Sequence, residues 1–466
     1  MATVVLATPP FLPAAPTARA VRTEPMENVM RTDLTRTTSR LAIAAASAGL
    51  LFGTSTLTPA QAADLGGDCC ADLEERVAEL EATAVRHGNR KVKLTLSGQV
   101  NTALLYFDAG FDNDIYVIDN DESSTRIRLD AVGTIRPGLT AGLIIEFDIE
   151  VASGSDILGP DRDEGVLRPD DDGEDIQLRR ANWFVQGEFG KISIGQGSMA
   201  SDGAFEVSFA NTWVGSVGYG LSVTNVGNFI LPNIGVSLFN IGTDYDASRR
   251  NRVRYDSPTF GGFTMSASWG EDDEYDVALR FAREFNGLKV AAAASYRVDE
   301  DDENLFSAGD DIDDSTSWGG SIAFMHTPSG FHLQGGYNNY SVDTNLPAGT
   351  FEFRNTEHYW IAAGLQFRAS SLGVSDITVE YIQNDHEDFQ FTFAPGGPGT
   401  GPIVDDEAMY ESVGIGFAQQ IDAIGGTLYA SYVHHMAEAT LTNGAGATVV
   451  LEDDFDQITF GMRLRY

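Results

Sequence analysis

The end of the chain, from Gln457 to Tyr466, alternates between two kinds of side chain. One face carries Ile458, Phe460, Met462, Leu464 and Tyr466, and the other carries Gln457, Thr459, Gly461, Arg463 and Arg465. Because successive side chains of a β-strand point to opposite faces, this period of two predicts a strand with one apolar face. The pattern is typical of a barrel with lipid outside and water inside, and the alternative is an edge strand of a soluble sandwich.

The same alternation recurs from Val92 to the end of the chain and defines sixteen candidate strands. They span residues 92–107, 125–135, 139–150, 176–188, 191–197, 250–257, 263–270, 275–285, 288–298, 316–327, 330–342, 356–369, 376–385, 408–421, 426–438 and 454–466. We therefore predict an all-β fold, a transmembrane antiparallel β-barrel of about 16 strands over residues 92–466.

The connections between these strands alternate in length, which supports the barrel over the sandwich. Short turns such as 136–138 and 286–287 contain the Gly, Pro and Asn residues that tight turns require. The other gaps are long and mostly acidic, such as 108–124, 151–175 and 198–249. Short turns on one side and long loops on the other are typical of an outer-membrane barrel, with both ends of the barrel chain on the periplasmic side.

The amino-terminal region predicts export. An apolar stretch at 41–53 follows Arg31, Arg36 and Arg40 and precedes the small-x-small site 60–62. These are the parts of a secretory signal peptide, and the stretch is too short to span a membrane as a helix. We expect residues 1–62 to be an amino-terminal extension and signal peptide, with either Met1 or Met30 as the start.

Residues 63–91 predict a short helical or coiled-coil periplasmic segment. Leu73, Val77, Leu80 and Ala84 are spaced by four, three and four residues, which is an apolar heptad seam. About two heptads are too few for an isolated stable helix, so the segment associates with copies of itself or packs on the barrel. The adjacent pair Cys69-Cys70 gives no disulfide framework.

The charge of the chain excludes nucleic acid as a partner. There are 30 basic and 68 acidic residues, giving a formal net charge of −38. A polyanion would be repelled by such a chain. The acidic residues form runs such as 170–175 and 299–303 between the candidate strands, and we interpret these runs as solvated loops.

Three features make the chain resemble the alphaproteobacterial general porins. They are the amino-terminal run 63–81 with the following Lys93–Asn101, the sixteen-strand layout, and a last strand that ends in an aromatic residue. The resemblance covers essentially the whole chain after residue 62. One departure is Tyr466, because that family usually ends in Phe.

The resemblance implies a homotrimer of water-filled channels in the bacterial outer membrane. Each channel would pass small hydrophilic solutes and ions by passive diffusion, with the third loop folded inward. It also implies insertion by the barrel-assembly machinery, with Phe460, Met462, Leu464 and Tyr466 as the carboxy-terminal assembly signal.

The constriction is expected where a long loop faces basic side chains of the wall. Only the loop near 198–249 is long enough to narrow so wide a barrel, and it carries Asp202 and Glu206. The wall residues that alternation places toward the lumen are Arg126, Arg128, Arg180, Arg252 and Arg254. Arg179, the neighbour of Arg180, would point to the other face, so the orientation of this strand is ambiguous. An acidic loop against a basic wall would create a transverse field, and the alternative is that these arginines only pair with acids and stiffen the barrel.

The sequence gives no support for an enzyme, a cofactor or a metal site. It contains no G-x-S-x-G, Walker or H-E-x-x-H motif, and the adjacent His434 and His435 would point to opposite faces of a strand. The alternative function is a structural protein that tethers the outer membrane to the cell wall through residues 63–91. From the net charge and the acidic loops we expect a mild preference for cations, opposed by the arginines.

Overall fold

The computed structural model describes residues 91–150, 153–155, 175–234, 237–242, 247, 249–271, 273–302, 313–343, 355–389, 406–442 and 448–466. The predicted signal peptide with both candidate start residues lies outside the described residues. So do Cys69, Cys70 and the predicted helical segment 63–91, apart from Lys91 at its end.

The described residues form seventeen strand segments. These are β1 (Val92–Asp108), β2 (Asn113–Asp119), β3 (Arg126–Arg136), β4 (Leu139–Glu150), β5 (Asp175–Gly187), β6 (Gly190–Ser198), β7 (Arg249–Asp256), β8 (Phe263–Gly270), β9 (Glu274–Phe285), β10 (Leu288–Asp302), β11 (Asp313–His326), β12 (Phe331–Asp343), β13 (Asn355–Ser370), β14 (Gly373–Phe389), β15 (Asp406–Ile421), β16 (Gly426–Thr442) and β17 (Thr448–Arg465). Short helices are α1 (Leu238–Gly242) and three 3-10 turns at Asp121–Ser123, Thr212–Gly215 and Asp422–Ile424. No helix in this part of the chain is long and apolar enough to span a membrane.

The seventeen segments form a closed antiparallel barrel of sixteen wall strands. Segments β2 and β3 lie end to end beside β1, because residues 102–108 of β1 pair with β2 and residues 92–99 pair with β3. The other edge of β1 pairs with β17, from Gln99↔Arg465 to Asp108↔Asp456, which closes the sheet. The predicted all-β barrel of sixteen strands is confirmed. The expected long loop over 108–124 was wrong, since most of it is β2 and a 3-10 turn.

The interruption between β2 and β3, residues 120–125, is called the strand break. Its 3-10 turn is capped by the side chain of Asn120, which accepts a hydrogen bond from Glu122 N at 3.0 Å. The side-chain amide of Gln99 on β1 donates to Ser123 O at 2.7 Å. These side-chain bonds replace ladder bonds that a continuous strand would make, so the backbone of the wall stays satisfied.

The two faces of the strands differ as the alternation predicts. On β17, Phe460 is 39% exposed and Leu464 is 40% exposed on the isolated barrel, whereas Gln457 and Thr459 are fully buried. Met462 is half-buried and Tyr466 is exposed. The outer surface is therefore apolar, as a face in contact with lipid requires, and the inner surface is polar.

Replacing Gly98 with alanine is expected to destabilise the seam where the barrel closes. Gly98 exchanges two backbone hydrogen bonds of 3.1 Å with Tyr466. A Cβ at residue 98 would lie 2.6 Å from Arg126 O and 2.4 Å from the Tyr466 hydroxyl. Overpacking of this kind costs about 1–3 kcal/mol, which should lower the urea concentration at which the lipid-embedded barrel unfolds.

The matched control is Gly133→Ala in the same β1–β3 ladder. A Cβ at Gly133 meets its nearest atoms at 3.4 and 3.5 Å, which is ordinary contact. This variant should unfold like the wild type. Equal unfolding midpoints for the two alanine variants would contradict the steric argument.

Candidate functional site

The connection between β6 and β7, residues 199–248, is called the inner loop, and its described residues lie against the inner wall of the barrel. The structure describes its residues 199–234, 237–242 and 247. Wall carboxylates accept hydrogen bonds from its backbone at four places: Ser201 N to Asp276 (2.6 Å), Asn211 N to Asp376 (2.7 Å), Gly220 N to Glu380 (2.8 Å) and Asn233 N to Asp453 (3.0 Å). A hydrogen bond contributes about 0.5–1.5 kcal/mol, and more where the acceptor is charged, so these contacts together fix the loop along β9, β14 and β17.

Donors from the wall hold the carbonyl groups of the same loop. Trp360 Nε1 donates to Phe205 O at 2.8 Å, and Gln366 Nε2 donates to Phe209 O at 2.6 Å. The strand break also contributes, because Asn120 Nδ2 donates to Val214 O at 2.7 Å. The loop therefore touches strands from both ends of the barrel sequence.

Apolar packing covers one side of the inner loop. Its buried side chains Val214, Val223, Val226, Phe229, Leu231, Ile234, Leu238 and Ile241 share a cluster with wall residues of β1, β2 and β13–β17. Phe107 of β1 packs edge-on against Phe229 with ring centroids 4.8 Å apart. Each such side chain contributes about 1.5–3 kcal/mol on burial. This part of the lumen is filled by a hydrophobic core.

The opposite part of the lumen contains a polar cavity of about 410 Å³, which we call the basic cavity. Its lining includes six cationic side chains, Arg180, Lys191, Arg249, Arg252, Arg254 and Arg280, and two acidic ones, Asp202 and Asp256. The cavity lies between β4–β9 and the first residues of the inner loop. Its formal net charge is +4.

Backbone carbonyl groups hold three of the cavity arginines in place. Arg254 donates to Met199 O at 2.6 Å. Arg252 donates to Ser198 O at 2.8 Å and to Gly195 O at 2.9 Å. Arg280 donates to Ala200 O at 2.7 Å and to Asp202 O at 2.8 Å. Carbonyl oxygens carry no net charge, so they orient the guanidinium groups without cancelling their charge.

A second group of basic residues surrounds the buried carboxylate of Glu146 and is called the Glu146 cluster. Its contacts are Arg126 at 3.8 Å, Arg128 at 3.3 Å, Arg179 at 3.2 Å and Arg180 at 4.0 Å. Asp148 accepts from Arg179, and Asp130 pairs with Arg128 at 2.8 Å. These arginines have carboxylates as direct partners, and so has Arg254 of the cavity, which pairs with Asp256 at 2.8 Å. Arg180 belongs to both groups.

A β-bulge explains why Arg179 and Arg180 both reach this cluster. Glu146 of β4 pairs with Arg180, but the next residue, Phe147, pairs with Leu178, so Arg179 is the extra residue. A bulge shifts the alternation of the strand by one residue. The expectation that Arg179 points to the other face was wrong, because a strict period of two does not allow for a bulge.

The structure separates the predicted site residues into two groups. Arg180, Arg252, Arg254 and Asp202 line the basic cavity. Among the described residues Arg126, Arg128 and Glu206 lie outside its lining, the two arginines being in the Glu146 cluster. Glu206 is half-buried in the inner loop, and the following Val207 N donates to Ser321 Oγ at 2.9 Å.

Three cavity cations are not among the residues predicted for the constriction: Lys191, Arg249 and Arg280. The alternation of β9 is a signal that identifies Arg280 as an inward residue. Asp276 and Ala278 share its face, while Val277 and Leu279 are exposed on the outer face. Within the described ranges, no group of three or more His, Cys, Asp or Glu side chains could hold a metal ion.

Among solved structures the chain is similar to OmpT folded in vitro, an outer membrane protein of Vibrio cholerae, with 16% identity, a TM-score of 0.51, and coverage of 82% of this chain and 100% of that chain. The loop L8 deletion mutant of OmpT matches with 16% identity, a TM-score of 0.50, and coverage of 81% and 100%. These similarities show the fold alone, and a comparison with curated proteins found no match. The model of the Gram-negative porins matches residues 42–463, and the chain therefore belongs to that family.

Proposed function

We propose that small hydrophilic solutes and ions cross this outer-membrane channel by passive diffusion, through the space between the inner loop and the basic wall. The observation that carries the proposal is the uneven filling of the lumen. The inner loop packs on β13–β17, whereas a polar cavity of about 410 Å³ remains beside β4–β9. A barrel narrowed by a loop in this way admits water and small solutes and excludes large ones.

The constriction would be formed by Arg180, Arg252 and Arg254 of the wall with Asp202 of the inner loop. Arg126 and Arg128 would contribute from the Glu146 cluster, and Glu206 from the loop. Fixed charges of both signs across a narrow lumen orient water and favour polar solutes over apolar ones. We propose no enzymatic activity and no cofactor.

The test is single-channel recording of the protein, purified from outer membranes, in a planar bilayer. We expect stable steps whose current is proportional to voltage. Insertion of the barrel without conductance would contradict the diffusion channel. In that case the tether through residues 63–91 would become the leading function, and deleting that segment should cause envelope blebbing.

We further propose a homotrimer of the alphaproteobacterial type, inserted by the barrel-assembly machinery through the strand that ends at Tyr466. Its outer face offers an apolar surface to a second copy or to lipid. Conductance steps grouped in threes, and a trimer mass in mild detergent, would support this arrangement. A monomer mass together with single steps would contradict it.

A further inference from the structure

The charge inside the lumen is unevenly compensated. Arg250 and Arg297 face the buried carboxylates of Glu274 and Asp299, with contacts of 2.9 Å for Arg250–Glu274 and 2.7 Å for Arg297–Asp299. The Glu146 cluster also pairs arginines with carboxylates. In the basic cavity Arg254 pairs with Asp256 at 2.8 Å, and Arg180 lies 4.0 Å from Glu146. The cavity still differs, because its lining has six cations and only two acids around about 410 Å³.

Two cavity arginines also carry a buried donor that lacks an acceptor. The Nε atoms of Arg180 and Arg249 have no hydrogen-bond partner in the described part of the chain. Buried donors without acceptors are costly, about 1–3 kcal/mol each, and such groups in native proteins call for an explanation. An anion in the cavity would supply both acceptors and charge.

The guanidinium groups are already positioned before any ligand arrives. Arg252 is only 8% exposed and its two carbonyl partners fix its orientation. Fixed donors lose little entropy on binding, which favours affinity. Guanidinium groups match the oxygen geometry of phosphate-like and carboxylate ions, and Asn182, Ser193 and Ser198 add neutral polar groups to the lining.

We propose that the basic cavity is a binding site for small multivalent oxyanions within the channel, with inorganic phosphate as the representative ligand. The proposal rests on the proposed channel function and adds its solute class. The site predicts that the channel prefers anions, which is the opposite of the cation preference expected from the net charge. The acidic runs that dominate the net charge lie mainly in the long loops, whereas the lumen path passes the net positive cavity.

The experiment measures the chloride current through single channels while inorganic phosphate is added at a pH where it is mainly the dianion. Phosphate should reduce the wild-type current at millimolar concentration, whereas nitrate should not. In a salt gradient, the sign of the reversal potential should show that the channel prefers anions to cations.

Two neighbouring residues of β7 provide matched variants. Arg249→Gln removes a charge from the cavity lining, and Arg250→Gln removes the same charge from a carboxylate pair. Losing one charged hydrogen-bonding partner should raise the half-blocking phosphate concentration about tenfold or more in Arg249→Gln. The block in Arg250→Gln should stay close to the wild type.

The outcomes separate this proposal from the channel function. Ohmic current that phosphate does not reduce, or equal shifts in the two variants, would overturn the oxyanion site and leave the channel intact. An absence of current in any salt would overturn the channel. In that case calorimetric titration of phosphate into the detergent-solubilised protein still tests the site, and absence of binding heat would overturn it.

Discussion

Replacing Gly220 with alanine should release part of the inner loop from the wall and replace a steady channel current with a fluctuating one. Gly220 has a φ of +94°, and its amide donates to Glu380 at 2.8 Å. A Cβ at this position would lie 2.7 Å from the Trp360 ring, whose Nε1 also holds Phe205 O. Backbone strain of about 1–3 kcal/mol and a comparable overpacking cost therefore act on two neighbouring anchors.

Open-channel noise and limited proteolysis with chymotrypsin measure the effect, since the inner loop is rich in Phe, Tyr and Leu. The control is Gly203→Ala in the same loop. Gly203 has a φ of +75°, but no atom lies within 4 Å of its added Cβ, so it shares the backbone strain without the clash. If Gly220→Ala resists chymotrypsin as well as Gly203→Ala does, the loop is not held in the way described.

Replacing Glu146 with glutamine should destabilise the barrel and strengthen its preference for anions. The Glu146 carboxylate lies within 4.0 Å of four guanidinium groups and is only 3% exposed. Removing one partner from a buried ionic network costs about 3–5 kcal/mol of stability. We expect a value of about 3 kcal/mol, because the arginine side chains are partly exposed to water. The lumen also loses one negative charge beside the solute path.

The measurements are urea unfolding in lipid vesicles and the reversal potential in a salt gradient. Glu188→Gln removes the same charge from an exposed short turn and should change neither quantity by much. An unchanged unfolding midpoint for Glu146→Gln would mean that the four arginines do not depend on this carboxylate.

The strands could be predicted because each of them separates lipid from a wet lumen, which imposes a period of two on the sequence. The same rule identified Arg252 and Arg254 as inward residues, and the structure places both in the basic cavity. It failed at Arg179, where a bulge shifts the alternation. It also failed at β2, because flanking acids made 113–119 look like part of a loop although Ile115 and Val117 face outward.

The contacts of the inner loop could not be predicted from the sequence. Its partners Asp376, Glu380 and Asp453 lie more than 150 residues further along the chain, and no local pattern relates them to particular loop amides. Its apolar side chains have no simple period, since they pack on a curved wall rather than along a helix or strand.

The strand break links parts of the barrel that are far apart in the sequence. Asn120 donates to Val214 O and to the Tyr429 hydroxyl, both at 2.7 Å, so one side chain near the start of the barrel joins the inner loop to β16. Asp453 of β17 holds another part of the loop. The bonds to Tyr429 and Asp453 cannot form until β16 and β17 are in place, whereas the bond to Val214 joins earlier parts of the chain. The inner loop therefore gains its full set of anchors only in the final step of folding, and a barrel arrested before β16 and β17 would be leakier than the finished channel.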